Sequence, residues 1–270
     1  MNRSLLIYII VFLSGTSFLR GQDQPLRIVN TVYGDFSDMA VDALGNMYLI
    51  TTGGQLRKAG ADGSTVAVFN EVRKYGKLNS IDVSNPLKTL LFYRDFGTVV
   101  VLDRFLNIRN VIDLRQSGLY QVKCLAQAYD NGYWIFDEQE GRVKHLNESG
   151  AVTDQFTDFR LLFDTMPSPQ LIVDQQKQLY LYDTVRGVFI FDYYGSFRQR
   201  LPYKGWSDFF VINSTLFGRD DRYLYRYDTR TMREQLIPVL PSMQEAIRVR
   251  FTSDAVYVLH SNRMEKYRFP

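Results

Sequence analysis

Few residues in this chain are equipped for covalent chemistry. Its 270 residues include two histidines, His145 and His260, and one cysteine, Cys124. A zinc centre takes three or four Cys, His or carboxylate ligands, so the His and Cys supply is inadequate. A side-chain nucleophile needs a base in hydrogen-bond reach, and no Cys-His or Ser-His-acid motif is recognisable. His145 sits in the stretch Arg142-Val-Lys-His-Leu146 and reads as a strand residue pointing to solvent. Cys124 reads as a small buried apolar residue, and a lone cysteine makes no intrachain disulfide. Oxygen ligands are better supplied: Asp38, Asn79, Gln170 and Asp208 carry the carboxylate and amide groups that a calcium ion takes.

Chemistry of recognition is more abundant. Arg73, Lys74, Tyr75 and Lys77 form one cluster, and Tyr120 with Lys123 a second. Arg160, Phe163 and Met166 form a third; Tyr203, Lys204 and Trp206 form a fourth. Large apolar side chains beside Arg or Lys are the usual composition of a protein-binding hot spot. Trp206 is the leading contact, because it follows a Lys-Gly turn. The competing reading is that these aromatics fold back onto the core. A further set of arginines (Arg94, Arg142, Arg186, Arg222 and Arg263) falls in turns rich in acids, which largely cancel it.

Charge narrows the partners. The chain carries a formal +3; loss of residues 1–21 takes Arg3 and Arg20 and no acids, leaving +1. Nucleic-acid binding needs a concentrated basic face, which this balance does not provide. Arg3 precedes a nine-residue apolar run, Leu5 to Leu13, followed by small residues. A bilayer span takes about 20 apolar residues, so a cleaved secretory signal is expected rather than an uncleaved anchor. Cleavage fits after Ser17 or after Gly21, and the second is preferred. No cysteine stands just after the apolar run, so no lipid anchor is expected there. The mature chain is expected in the periplasm or outside the cell.

These side chains must be positioned by a repeated element. Met39 to Ile50 reads as an apolar stretch, a Leu44-Gly45-Asn46 turn and an alternating strand. The pattern returns five times, anchored on Val41, Val83, Ala126, Val173, Val211 and Val249, at spacings of 42, 43, 47, 38 and 38. Fixed-period copies of this length signal a ring or array of identical units. Four short strands are readable per copy, at 37–42, 46–51, 55–59 and 65–69 in the first, and helical periodicity is confined to 241–247. The sixth copy supplies only three strands, while Arg27 to Tyr33 has no partner of its own. That strand is expected to complete the last unit and close the ring.

An all-β fold of six four-stranded antiparallel blades follows, a β-propeller over residues 22–270. The apolar-Val-Asp strand, Gly-Asn turn and aromatic strand of Val41 to Phe69 and Val173 to Asp192 resemble the NHL-type repeat of six-bladed propellers. Propellers use loops at the channel ends, here 34–38, 70–79, 115–123, 158–169, 202–208 and 240–247. Such propellers include scaffolds and enzymes alike. The aromatic-basic loops and the export signal favour a non-catalytic protein-interaction module without cofactor, as part of a cell-envelope or outer-membrane assembly. The alternative is a lactonase-like hydrolase holding Ca²⁺ in the channel, for which Asp38, Asn79 and Asp208 are the candidate ligands, or a carbohydrate-binding propeller. The residues leave the partner and the oligomeric state open.

Overall fold

A computed structural model describes residues 27–268. The signal segment expected at 1–21 lies outside them. Strand β1 (Arg27–Tyr33) leads into blade 1: β2 (Phe36–Val41), β3 (Met47–Thr51), β4 (Leu56–Ala59) and β5 (Thr65–Phe69). Blade 2 is β6 (Ser80–Asn85), β7 (Lys88–Tyr93), β8 (Thr98–Asp103) and β9 (Ile108–Asp113). Blade 3 is β10 (Val122–Gln127), β11 (Tyr133–Asp137), β12 (Arg142–Leu146) and β13 (Val152–Gln155). Blade 4 is β14 (Leu171–Gln175), β15 (Gln178–Asp183), β16 (Gly187–Asp192) and β17 (Phe197–Leu201). Blade 5 is β18 (Ser207–Ile212), β19 (Thr215–Arg219), β20 (Tyr223–Asp228) and β21 (Arg233–Pro238). Blade 6 is β22 (Arg248–Phe251), β23 (Ala255–Leu259) and β24 (Arg263–Arg268), completed by β1.

The closing strand is where the sequence puts it. β1 runs antiparallel to β24 from Arg27↔Arg268 to Tyr33↔Arg263. All six anchors fall in the innermost strands. The period is thus a blade, and the ring is shut by its own N-terminal strand.

Local chemistry makes the hairpins. In Asp42-Ala-Leu-Gly-Asn46 the Asp42 carboxylate accepts from the Leu44 and Asn46 amides, each at 2.9 Å, while Gly45 adopts φ 78°. The same loop recurs at Asp103–Asn107 and Asp192–Ser196, each Asp capping two amides. A side chain mimicking a backbone turn, followed by a residue with positive φ, fixes the reversal without tertiary help.

Packing between blades supplies the core. The second strand of each blade buries both faces: Tyr48 and Ile50 meet Leu91 and Tyr93 of blade 2, while Met47 and Leu49 meet Tyr257 and Leu259 of blade 6. Each such side chain contributes about 1.5–3 kcal/mol on burial.

His145 does not point to solvent; it lies buried against Trp134, ring centroids 4.5 Å apart, bonded to Thr153 and Asp130. Its register partner Trp134 matches the pairs Tyr48↔Lys58 and Tyr257↔Lys266, so a histidine fills the place where two other blades stack a lysine on a tyrosine. Helical structure is also not confined to 241–247. A single turn, α1 (Phe159–Leu162), forms where Asp158 caps the Arg160 amide and Phe159 plugs into the core.

Candidate functional site

In a four-stranded meander, the first-to-second and third-to-fourth turns share one end of the ring. The second-to-third turns and the blade-to-blade connections share the other. The expected binding loops all belong to this second end. Between the ends runs a channel of about 560 Å³, walled by the six innermost strands.

The candidate contacts divide by burial. Trp206 is buried, stacked on Tyr203 at 4.3 Å, and a Cβ on Gly218 would collide with its ring. It belongs to the packing between blades 4 and 5 and offers no surface. Tyr75, Phe163, Met166 and Tyr203 are half-buried on core clusters. Arg73 is exposed but donates to the Thr52 carbonyl at 2.6 Å, and Lys204 is exposed. Tyr120, 66% exposed, remains at the surface.

At the same end of the ring as Tyr120 lie four exposed apolar residues that sequence reasoning passed over. Phe96 lies in the second-to-third turn of blade 2, Leu161 and Leu162 on α1, and Val185 in the corresponding turn of blade 4. Leu161 is 79% and Val185 71% exposed. With Tyr120 they lie on loops of the consecutive blades 2, 3 and 4, an arc of positions at one end of the ring. The only sequence signal is position, since Leu and Val in short loops read as core.

The loops that present the arc are pinned. The Phe159 amide donates to the Gly141 carbonyl at 2.8 Å, and Arg160 ties Asp158 to the Glu140 carbonyl. Hydrogen bonds from Arg160 hold the Asp158 carboxyl at about 2. Arg186 reaches from the Val185 turn to the Thr165 carbonyl at 2.8 Å, and Ser168 bonds Glu138 and Asp183. Arg115 likewise holds the Phe96 turn through the Asp95 carbonyl at 2.7 Å.

The calcium candidates are engaged otherwise. Asp208, its side chain 1% exposed, accepts from Arg219, from Arg250 and from the Val249 amide. Asp38 accepts from Arg248 at 2.7 Å, and Asn79 sits exposed with its amide on the Phe92 carbonyl. Among the described residues no cluster of three His, Cys, Asp or Glu side chains can hold a metal. Three guanidinium groups, those of Arg219, Arg248 and Arg250, surround these two carboxylates. Cys124 does line the channel, but burial pushes its thiol up, and it donates to the Pro169 carbonyl. Neither histidine lines the channel.

Six antiparallel four-stranded sheets closed around a channel define the class, a six-bladed β-propeller. No family model matches the chain, and no curated protein matches it by sequence. Solved structures do. PorZ, an essential bacterial surface component of the type-IX secretion system of Porphyromonas gingivalis, is 14% identical over 87% of this chain, with a TM-score of 0.58. This chain spans 31% of that one. A catalytically inactive His-to-Ala form of virginiamycin B lyase from Staphylococcus aureus, with quinupristin, is 13% identical over 86% of this chain and 80% of its own, at 0.57. The Pan2 WD40 domain of Neurospora crassa is 10% identical over 91% and 95%, at 0.64. At such identities the likeness is one of fold, and the NHL resemblance holds at that level alone. Among the described residues no helix is long and apolar enough to cross a membrane.

Proposed function

We propose that the protein is an exported, non-catalytic propeller that docks a protein partner through the apolar arc of blades 2–4, within a cell-envelope assembly. The observation that carries this reading is the exposure of Leu161, Leu162, Val185, Phe96 and Tyr120 on loops held by side-chain-to-backbone hydrogen bonds. Leaving such side chains in water forgoes about 25 cal/mol per Å² of apolar surface, a cost that a docking partner removes. Pinned loops lose little further entropy on binding, which favours affinity. Arg160 and Arg186 beside the leucines and Val185 complete a hot-spot composition. Export is supported by Arg3 and the Leu5 to Leu13 run, and a surface role by the likeness to PorZ.

Capture from the native host tests it. Tagged protein should retain a discrete partner that Leu161→Asp with Val185→Asp loses at an unchanged melting temperature. Retention by the double variant would assign docking elsewhere.

A further inference from the structure

Channel and docking arc are separate features, and the channel has a polarity of its own. On β22, Val249 and Phe251 pack toward blade 5. Alternation therefore starts Arg248 and Arg250 on the opposite face, toward blade 1. Arg248 keeps its Nε on Asp38 at 2.7 Å, while its Nη1 comes only within 4.0 Å of Asp208. Arg250 leaves that face. It donates to the carbonyl of Val249 at 3.1 Å and to Asp208 of blade 5 at 2.9 Å. To reach back it must cross the free inner edge of its own strand, which places its guanidinium in the channel it lines.

Arg250 spends little of its charge in doing so. Both contacts use Nη1, and among the described residues its other nitrogens have no partner. Asp208 is shared with Arg219, whose Nη2 lies 2.9 Å away. Three arginines thus face two carboxylates, with Arg248 and Arg250 the members open to solvent.

Arg219 makes this a built feature. By register it occupies the position held in the other blades by Ile50, Phe92, Phe136, Tyr182 and Leu259. A buried ion pair at an apolar position gains little stability over a hydrophobic residue. What Arg219 does achieve is to occupy Asp208, leaving Arg250 underneutralised.

The facing walls carry the opposite sign. Asp82 of blade 2 accepts from the Ser84 and Gln127 amides, both at 2.8 Å. Asp174 of blade 4 accepts from the Tyr129 amide, the Trp134 indole and the Tyr193 hydroxyl. Neither is paired with a cation among the described residues, and both line the channel.

We propose that the channel binds a zwitterion of the free amino-acid or short-peptide class, its carboxylate on Arg250 and its ammonium toward Asp82 and Asp174. A volume of about 560 Å³ lies within the range of small-molecule sites. Arg248 and Arg219 are positioning residues.

Titration of the purified protein with triglycine and with triglycine amide, followed by calorimetry, tests the site. Triglycine should bind, and the amide should bind roughly tenfold or more weakly, as loss of one charge-assisted contact requires. Arg250→Gln should weaken triglycine to the level of the amide, and Arg250→Lys should recover part of the loss. Equal affinity for acid and amide, or no triglycine binding at millimolar concentrations, would overturn the proposal. The acid-to-amide comparison uses the unaltered protein, so it stands even where an Arg250 variant fails to fold. The Leu161 and Val185 variants should bind triglycine normally, which separates this site from the docking arc.

Discussion

Arg219 lies 2.9 Å from Asp208 at a position where the five other blades carry an apolar side chain. A β-bulge between Ser207 and Phe210, with Asp208 at φ 58°, turns the acid toward blade 6 to meet it. Arg219 also donates to the Met243 and Ala246 carbonyls, so the pair fixes the connection into the last blade. Removing one partner strands a buried charge, whereas replacing both need not. Asp208→Ala should therefore cost about 3–5 kcal/mol. Adding Arg219→Leu should return much of that loss, because leucine restores the residue type of the other blades. A urea-melt double-mutant cycle reads this directly, and additive losses would contradict it.

Trp206 and Tyr120 separate core from surface. Trp206→Ala should cost about 3–5 kcal/mol by opening a cavity against Gly218. Tyr120→Ala should stay within about 0.5 kcal/mol. Comparable melting shifts for the two would show that Trp206 is not packed as described.

Acid should loosen the closing blade through Glu265. Burial alone would push this carboxyl up, but hydrogen bonds from Arg263 and Tyr267 and the charges of Arg263 and His260 outweigh it and hold it below its usual 4.5. A lowered acid contributes stability that is complete above its unfolded value and lost as pH falls through 4.5 and below. Between pH 7 and pH 3.5 the urea midpoint of the unaltered protein should fall more steeply than that of Glu265→Gln. Parallel slopes would remove Glu265 from the acid response. Asp174 acts with the opposite sign: burial raises its carboxyl, so its contribution is complete below its unfolded value of 3.8 and lost as pH rises through the raised one.

The blades were legible because each hairpin is written locally. Asp42 with Asn46, and Asp103 with Asn107, carry their turn chemistry within five residues, and the unpartnered strand Arg27–Tyr33 announced the closure. Burial of the loop aromatics was not legible. Trp206 follows the same Lys-Gly signal whether it faces solvent or core, and the deciding residue, Gly218, lies two strands on, in β19. His145 was misread because alternation around it continues while both sheet faces of blade 3 are covered. Arg219 left a trace, since Leu216-Phe-Gly-Arg219 breaks the aromatic alternation of the other copies, but only register shows which position it breaks. The arc of Phe96, Leu161, Leu162 and Val185 needed the topology, because it joins loops from three blades.

Docking by that arc is tested most directly by comparing proteins captured from the native host by the unaltered chain and by Leu161→Asp with Val185→Asp, each identified by mass spectrometry beside a melting curve. The expected result is one discrete partner, present with the unaltered chain and absent with the variant, at equal melting temperatures. Identical captured sets from two equally folded proteins would contradict docking on blades 2–4.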